Sequence, residues 1–156
     1  MTQKVMSIVF AGLGGQGVLK SSDIFGDVVF HAGYDVKKAE VHGMSQRGGS
    51  VTSDVRYGKE VQSPMTPAGG ADFLVVLERT QIENNTHLLK PDGVMITPDD
   101  IDESQLENKR SLNVALLGVL SKHLDLDEEF WKKAIFANLP AKLHEVNEKA
   151  FALGRG

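Results

Sequence analysis

The spacing of hydrophobic positions changes several times along this chain, and each change marks an element. Residues 6–13 (Met-Ser-Ile-Val-Phe-Ala-Gly-Leu) form a short apolar, β-rich run ending in glycines, the pattern of a buried strand. Beyond the glycines, Val18, Ser22, Phe25 and Val29 recur at helical spacing, and Leu19, Ile24 and Val28 widen the same stripe. This predicts a helix over 16–31, closed by Gly33. A weaker strand is expected over 35–41 and a loop over 42–49. Val51, Ser53, Val55 and Tyr57 alternate with Thr52, Asp54 and Arg56, which predicts a strand with one solvated face. Gly58-Lys59 reads as a hairpin turn into 60–63. A Pro/Gly-rich loop over 64–70 leads into a second buried strand, 72–77. A helix over 80–89, a Lys90-Pro-Asp-Gly93 turn and a short strand over 94–97 follow.

The remainder is helical after a polar, largely acidic connection, 99–110, expected to be exposed. Leu112, Ala115, Leu116, Val119, Leu120 and Leu124 share one helical face. Asp127 stands where a cap is wanted for a helix carrying Phe130, Trp131, Ala134 and Ile135. Pro140 suits the first turn of a last helix, with Leu143, Val146, Ala150 and Leu153 on one face and Gly154 at its end. With no internal repeat or interdomain linker, the pattern predicts one α/β domain over 1–156. Three layers are expected: a mixed, mostly parallel sheet with a Rossmann-like βαβ start and a helical C-terminal portion.

Composition narrows the chemistry. The 156 residues suffice for one self-supporting core. A formal net charge of −4, with no Lys/Arg-rich run, supplies no attraction to nucleic acid or an anionic membrane. The apolar run 5–13 is too short to span a bilayer and lacks a signal-cleavage pattern, so the cytoplasm is the default compartment. There is no cysteine. Disulfides, Cys-ligated iron–sulfur clusters and Cys-type zinc sites are therefore excluded from this polypeptide.

Two segments carry the candidate chemistry. Gly12-Leu-Gly14-Gly15-Gln16-Gly17 fits the spacing G-x-G-x-x-G between a strand and a helix. There, glycines permit a tight turn and let main-chain N–H groups approach an anion at the helix start. A dinucleotide would also want an acidic side chain near the end of the second strand, and Glu40 is the better candidate. Two readings stay open: a phosphate-bearing ligand (a nucleotide or coenzyme A), or glycines that only pack the helix or meet a partner chain. The second segment concentrates His42, Gly43, Met44, Ser45, Gln46, Arg47, Gly48 and Gly49 on a loop. Arg47 is suited to a bidentate grip on a carboxylate or phosphate, and His42 to titration near neutral pH. The other histidines are scattered and offer no metal-ligand pairing, and Trp131 on an amphipathic helix reads as core.

Taken in order, Gly12-Leu-Gly-Gly-Gln-Gly-Val-Leu19, Ala39-Glu-Val-His-Gly-Met-Ser-Gln-Arg-Gly-Gly-Ser-Val51, Arg56-Tyr-Gly58, Ser63-Pro64 and Ala71-Asp72 resemble the gamma-type chain of the 2-oxoacid:ferredoxin oxidoreductases. Asn113-Val-Ala-Leu-Leu-Gly118 and Asn147 to Gly154 continue the resemblance. The central block is more similar to the indolepyruvate (beta subunit) branch than to the pyruvate or 2-oxoglutarate branches. The resemblance implies oxidative decarboxylation of a 2-oxoacid to an acyl-CoA with reduction of ferredoxin. It places thiamine diphosphate, magnesium and the iron–sulfur clusters on a larger partner subunit, with coenzyme A as co-substrate. This chain would complete the assembly and line the way in for coenzyme A or substrate, being inactive alone and a possible homodimer when isolated. Its contacts would be Gly12 to Gly17 and His42 to Gly49, with Arg47 meeting an anion and Gln46 positioning by hydrogen bonds. Two departures stand out: the family's strand–helix stretch between the equivalents of Thr97 and Asn113 is reduced to a short acidic link, and Glu78-Arg-Thr-Gln81 lacks a second acidic residue. A stand-alone dinucleotide-binding protein and a repurposed, non-catalytic module are the alternatives.

Overall fold

A computed structural model describes residues 4–42 and 49–156. Strand β1 (Val5–Leu13) leads through the glycine turn to helix α1 (Val18–His31), then to β2 (Asp35–His42) and β3 (Ser50–Gly58). β4 (Ala71–Val76), a short helix α2 (Ile82–Asn85) and β5 (Leu89–Ile96) follow. Helices α3 (Leu112–Ser121), α4 (Glu128–Asn138) and α5 (His144–Arg155) end the chain. The five strands lie in the order β2-β3-β1-β4-β5. β3 runs antiparallel to both β1 and β2, whereas β4 runs parallel to β1 and to β5. The α/β class and the mixed sheet are as expected, but parallel pairing is confined to two ladders of four. The βαβ start is also split, because β3 is inserted between β1 and β2.

One face of the sheet carries the main core. Ile8 and Phe10 of β1, Val55 and Tyr57 of β3, and Phe73 and Val75 of β4 meet α1, α3 and α4. Its centre is aromatic: Phe25 lies 6.1 Å from Phe10, 5.6 Å from Tyr57 and 5.5 Å from Trp131, which is 5.8 Å from Phe151 (ring centroids). Trp131 is fully buried, a core residue. Helices α3 and α5 cross at backbone contact. A Cβ on Gly154 would lie 1.8 Å from the Ala115 carbonyl oxygen, and one on Gly118 2.2 Å from that of Phe151. Gly154 therefore sits inside α5 as a packing residue and does not terminate it.

The opposite face is thin. Val9, Ala11, Leu74 and Val76 form a small cluster with Met95 of the neighbouring β5, and Ile82 and Leu88 pack against it. Further along, the chain after β3 is laid across the sheet by polar contacts. Arg56 donates to Ser7 Oγ (3.0 Å) and to the carbonyls of Ser63 (2.8 Å) and Met65 (3.1 Å), while Asp54 accepts from Thr66 N–H (2.9 Å). Lys37 Nζ donates to the Val61 carbonyl and Asp35 accepts from Val61 N–H. This corrects two expectations. Residues 60–63 form no hairpin strand, and the Thr52–Arg56 face of β3 is covered, with Asp54 buried. Gly58 is needed where β1 and β3 begin and end together, since a Cβ there would lie 2.8 Å from the Lys4 carbonyl oxygen.

Other boundaries differ for local reasons. The expected helix over 80–89 breaks into 3-10 turns at Arg79–Gln81 and Thr86–Leu88 around the four residues of α2. Asn85 and Thr86 hydrogen-bond back to the carbonyls of Gln81 and Ile82, the competition that makes such residues poor helix interiors. The turn expected at 90–93 is absorbed into β5, whose pairing with β4 is irregular between Ala71 and Phe73. Asp127 makes no side-chain cap, although its carbonyl accepts from Phe130 N–H. The last helix starts at His144, after Pro140 and a 3-10 turn at 141–143. Among the described residues, no helix is long and apolar enough to cross a membrane.

Candidate functional site

β1 and β4 are parallel neighbours whose connections leave in opposite directions, β1 towards β3 and β2 and β4 towards β5. In open α/β sheets the crevice beyond the C-terminal ends of such a pair is where ligands bind. Here it holds an open cleft of about 550 Å³, lined by Gly15, Gln16, Leu77, Lys109, Arg110 and Leu112.

The glycine turn builds one wall. Gln16 N–H donates to the Leu13 carbonyl (3.2 Å), and Gly15 and Gly17 each take φ +87°, a left-handed conformation costly for other residues. Gly12 is glycine because a Cβ would lie 2.9 Å from both Gln16 Oε1 and Val18 Cγ2. At Gly17 a Cβ would strike Asn113 Nδ2 at 2.6 Å. The Gly17 carbonyl instead accepts from Ser21 N–H, Ser21 Oγ and Asn113 Nδ2, which ties the starts of α1 and α3 together. Neither helix has a side-chain cap or an acidic residue in its first turn. Helix α1 therefore presents free N–H groups and the positive end of its dipole near the cleft. Helix α3 instead continues a 3-10 turn, Lys109–Ser111, whose N–H groups are taken: Asn108 Oδ1 accepts from Arg110 N–H, and the Asn108 and Lys109 carbonyls accept from Ser111 and Leu112 N–H.

Gln16 joins the two strand ends. Its Oε1 accepts from Leu13 N–H (2.8 Å), and its Nε2 donates to Glu78 Oε1 (3.0 Å). Glu78 also accepts from Thr80 N–H, and these donors, the backbone one first, hold its carboxyl below the usual carboxylate range. The next residue, Arg79, reaches Asp99 (2.9 Å) and Glu103 (2.6 Å), and Lys149 on α5 reaches Glu107 (3.0 Å). The acidic link is thus fastened at both ends, and it presents Lys109 and Arg110 to the cleft. Neither of these makes an ion pair among the described residues.

Of the sequence candidates, the structure brings Gly15 and Gln16 into the cleft wall, with Gly12, Gly14 and Gly17 shaping the turn. Gly14 N–H donates to the Gly49 carbonyl (2.9 Å), so the end of the second segment is anchored to the first. Gly43, Met44, Ser45, Gln46, Arg47 and Gly48 lie outside the described residues. His42 ends β2, exposed, 3.9 Å from Glu40. Glu40 is not at the glycine turn. It pairs with Ser53, which pairs with Phe10, so it lies two strands away from β1, about 10 Å at normal strand spacing. The inserted β3 removes the neighbouring acid that a dinucleotide ribose would use. Glu78, Lys109 and Arg110 were missed as site residues. Lys109 and Arg110 could have been noticed as adjacent cations at the end of an otherwise acidic stretch, just before the helical face that begins at Leu112.

A family model described as pyruvate ferredoxin/flavodoxin oxidoreductase matches residues 7–156. The chain belongs to this family. It is 32% identical to the indolepyruvate oxidoreductase subunit IorB of Thermococcus kodakarensis, over 97% of this chain and 95% of that one. Against the subunit of that name from Archaeoglobus fulgidus, identity is 33% over 93% of this chain and 68% of the relative. The Thermococcus alignment runs over 191 positions, so about 40 of them have no counterpart in these 156 residues, in keeping with a shortened chain. Among solved structures, the fold matches the gamma subunit of a keto/oxoacid ferredoxin oxidoreductase from Geobacter sulfurreducens (TM-score 0.78, 20% identity, 97% of this chain and 94% of that one). It also matches part of a 2-oxoglutarate:ferredoxin oxidoreductase chain from Magnetococcus marinus, solved with 2-oxoglutarate, coenzyme A and succinyl-CoA (TM-score 0.81, 21% identity, 99% of this chain and 31% of that one).

Proposed function

We propose that this chain is the cluster-free, gamma-type subunit of a 2-oxoacid:ferredoxin oxidoreductase of the indolepyruvate type. In this reading it docks on a larger subunit that carries thiamine diphosphate, magnesium and iron–sulfur clusters, and the complex oxidises a 2-oxoacid to an acyl-CoA while reducing ferredoxin. The chain does not itself fit a cluster, since it contains no cysteine. Among the described residues, no group of three or more His, Asp or Glu is placed to hold a metal ion. Its contribution is therefore shape, charge and positioning.

The observation that carries the reading is the cleft beyond β1 and β4 on a domain of this family. Its glycine turn, the uncapped start of α1, and Lys109 and Arg110 favour an anion. Coenzyme A, with its phosphates, is the co-substrate such a wall suits. Gln16 then acts as a positioning residue, holding the glycine turn against the end of β4 through Glu78. Gln46 and Arg47 remain candidate contacts to the partner and to an anion.

The test is anaerobic reconstitution. Larger subunit, this chain, thiamine diphosphate and coenzyme A are combined with indolepyruvate, pyruvate or 2-oxoglutarate, and ferredoxin reduction is followed. Neither chain alone should turn over, the pair should, and indolepyruvate should be preferred. The double variant Lys109→Ala/Arg110→Ala should raise KM for coenzyme A by roughly ten-fold, with a smaller change in kcat. Stable binding without restored turnover would favour a non-catalytic module.

A further inference from the structure

The two edges of the sheet are unlike. β5 is an interrupted edge: it contains Pro91 and Gly93, and its pairing with β4 slips between Ala71 and Phe73. Proline and irregularity are devices that prevent a strand from recruiting another. β2 has neither. Its eight residues, Asp35–His42, pair with β3 in unbroken register, contain no proline or glycine, and have no neighbour on the other side among the described residues. Lysines can guard an edge, but both are tied within their own subunit and neither projects alone from the edge: Lys37 donates to the Val61 carbonyl, and Lys38 pairs with Asp23 at the surface.

Among the described residues, the exposed large hydrophobic side chains gather at this edge. Phe30 is 63% exposed and Tyr34 40%, on either side of the α1–β2 connection; Val41 on β2 is 50% exposed and Met65 54%, on the opposite face. Val41 and Met65 line one shared depression, and Phe30 lines a second groove, about 410 Å³, between α1 and β2 with Gly26 and Val36. An uninterrupted edge rimmed with apolar side chains on both faces is the surface that strand addition requires.

We propose that β2 pairs antiparallel with β2 of a second copy of this chain, about a two-fold axis at Ala39, to give one continuous ten-stranded sheet. A two-fold axis perpendicular to the sheet preserves each face, so the axis must pass through one residue of the strand and its mate. Centring on Lys37, Lys38 or Glu40 sets like charges directly opposite, which is unfavourable. Centring on Ala39 sets small against small and places Lys38 opposite the second copy's Glu40, twice. On that face Val36 then meets His42, beneath the groove that holds Phe30. The occupant is a second copy because the strand's charge pattern is complementary to itself in this register. The proposal adds an assembly surface on the β2 edge, outside the cleft between β1 and β4.

The absence of cysteine from the native sequence provides a direct test. Ala39→Cys supplies a single thiol whose mate would lie directly opposite, within the Cα range of a disulfide. Mild oxidation of Ala39→Cys should give a covalent dimer, whereas Lys37→Cys, facing Val41, should cross-link poorly. Sedimentation of the native chain at tens of micromolar should show a dimer. Glu40→Lys, which keeps the Lys38–Asp23 pair, should weaken it by roughly ten-fold, and adding Lys38→Glu to make the double variant should restore it. Circular dichroism confirms that each variant is folded. A monomeric native chain, or a dimer that neither cross-links through the Ala39→Cys thiol nor responds to Glu40→Lys, overturns the proposal; the first result would leave β2 for the larger subunit.

Discussion

The two faces of the sheet are held by different physics. On one, Phe10, Phe25, Trp131 and Phe151 interlock with α1, α3 and α4, and stability there comes from apolar burial and close packing. On the other, a short apolar cluster is extended by a loop pinned through Arg56, Asp54, Lys37 and Asp35. A core of the first kind is insensitive to pH and intolerant of volume change. A polar cover is the reverse: each contact contributes little, and its strength depends on which groups are charged.

The contrast is broken most severely on the helical face. Trp131→Ala should cost about 3–5 kcal/mol in denaturant unfolding, since no neighbour can move in to fill the space. Trp131→Phe should cost much less, because the buried indole N–H has no partner among the described residues and its loss is no penalty. Gly154→Ala should cost about 1–3 kcal/mol or more, because the added methyl meets the Ala115 carbonyl and α5 must move away from α3. An unchanged melting temperature for either Trp131→Ala or Gly154→Ala would contradict the packing described.

On the polar face, Arg56→Ala should cost about 1.5–3 kcal/mol and release residues 61–70 to faster hydrogen exchange while the core stays protected. Asp54 has the sign that sharpens the comparison. Burial pushes its carboxyl above the usual carboxylate value, against the opposing effect of Thr66 N–H. The folded protein therefore binds the proton more tightly than the unfolded chain, and stability falls as pH rises through the interval between the two values. Asp54→Asn should be more stable than the native protein at neutral pH. That advantage should shrink as pH falls through the same interval and be gone below about 4, the ordinary Asp value. A pH-independent difference would show that burial is not what shifts the group.

The smallest effect lies at the cleft. Gln16→Leu removes the donor to Glu78 and the acceptor for Leu13 N–H, with little expected change in overall stability. The Glu78 carboxyl should move up towards its usual range in a carbon-detected NMR titration. Thr80 N–H would still hold it partly down. No movement would mean that the glycine turn and β4 are not linked through this side chain.

Periodicity alone located β1, α1, β4 and the α3 and α4 faces, because each buries one regular stripe and the local pattern and the core agree. The glycine turn was legible for the same reason: a strand, a left-handed turn and a helix must follow one another there, and only glycine takes those angles cheaply. What the chain folds against was not legible. The order of strands, with β3 inserted between β1 and β2, carries Glu40 away from the turn, and no local pattern encodes that distance. The covered face of β3 reads as solvated because Thr52, Asp54 and Arg56 are polar, whether they meet water or a loop. Gly154 reads as a helix end until α3 is seen against it. Lys109 and Arg110 reach the cleft only because Arg79 and Lys149 fasten the link that carries them. Sequence determined the elements through short-range conformational preference and burial period; tertiary structure decided the site, because the groups that meet there are brought together from ends of the chain that share no local signal.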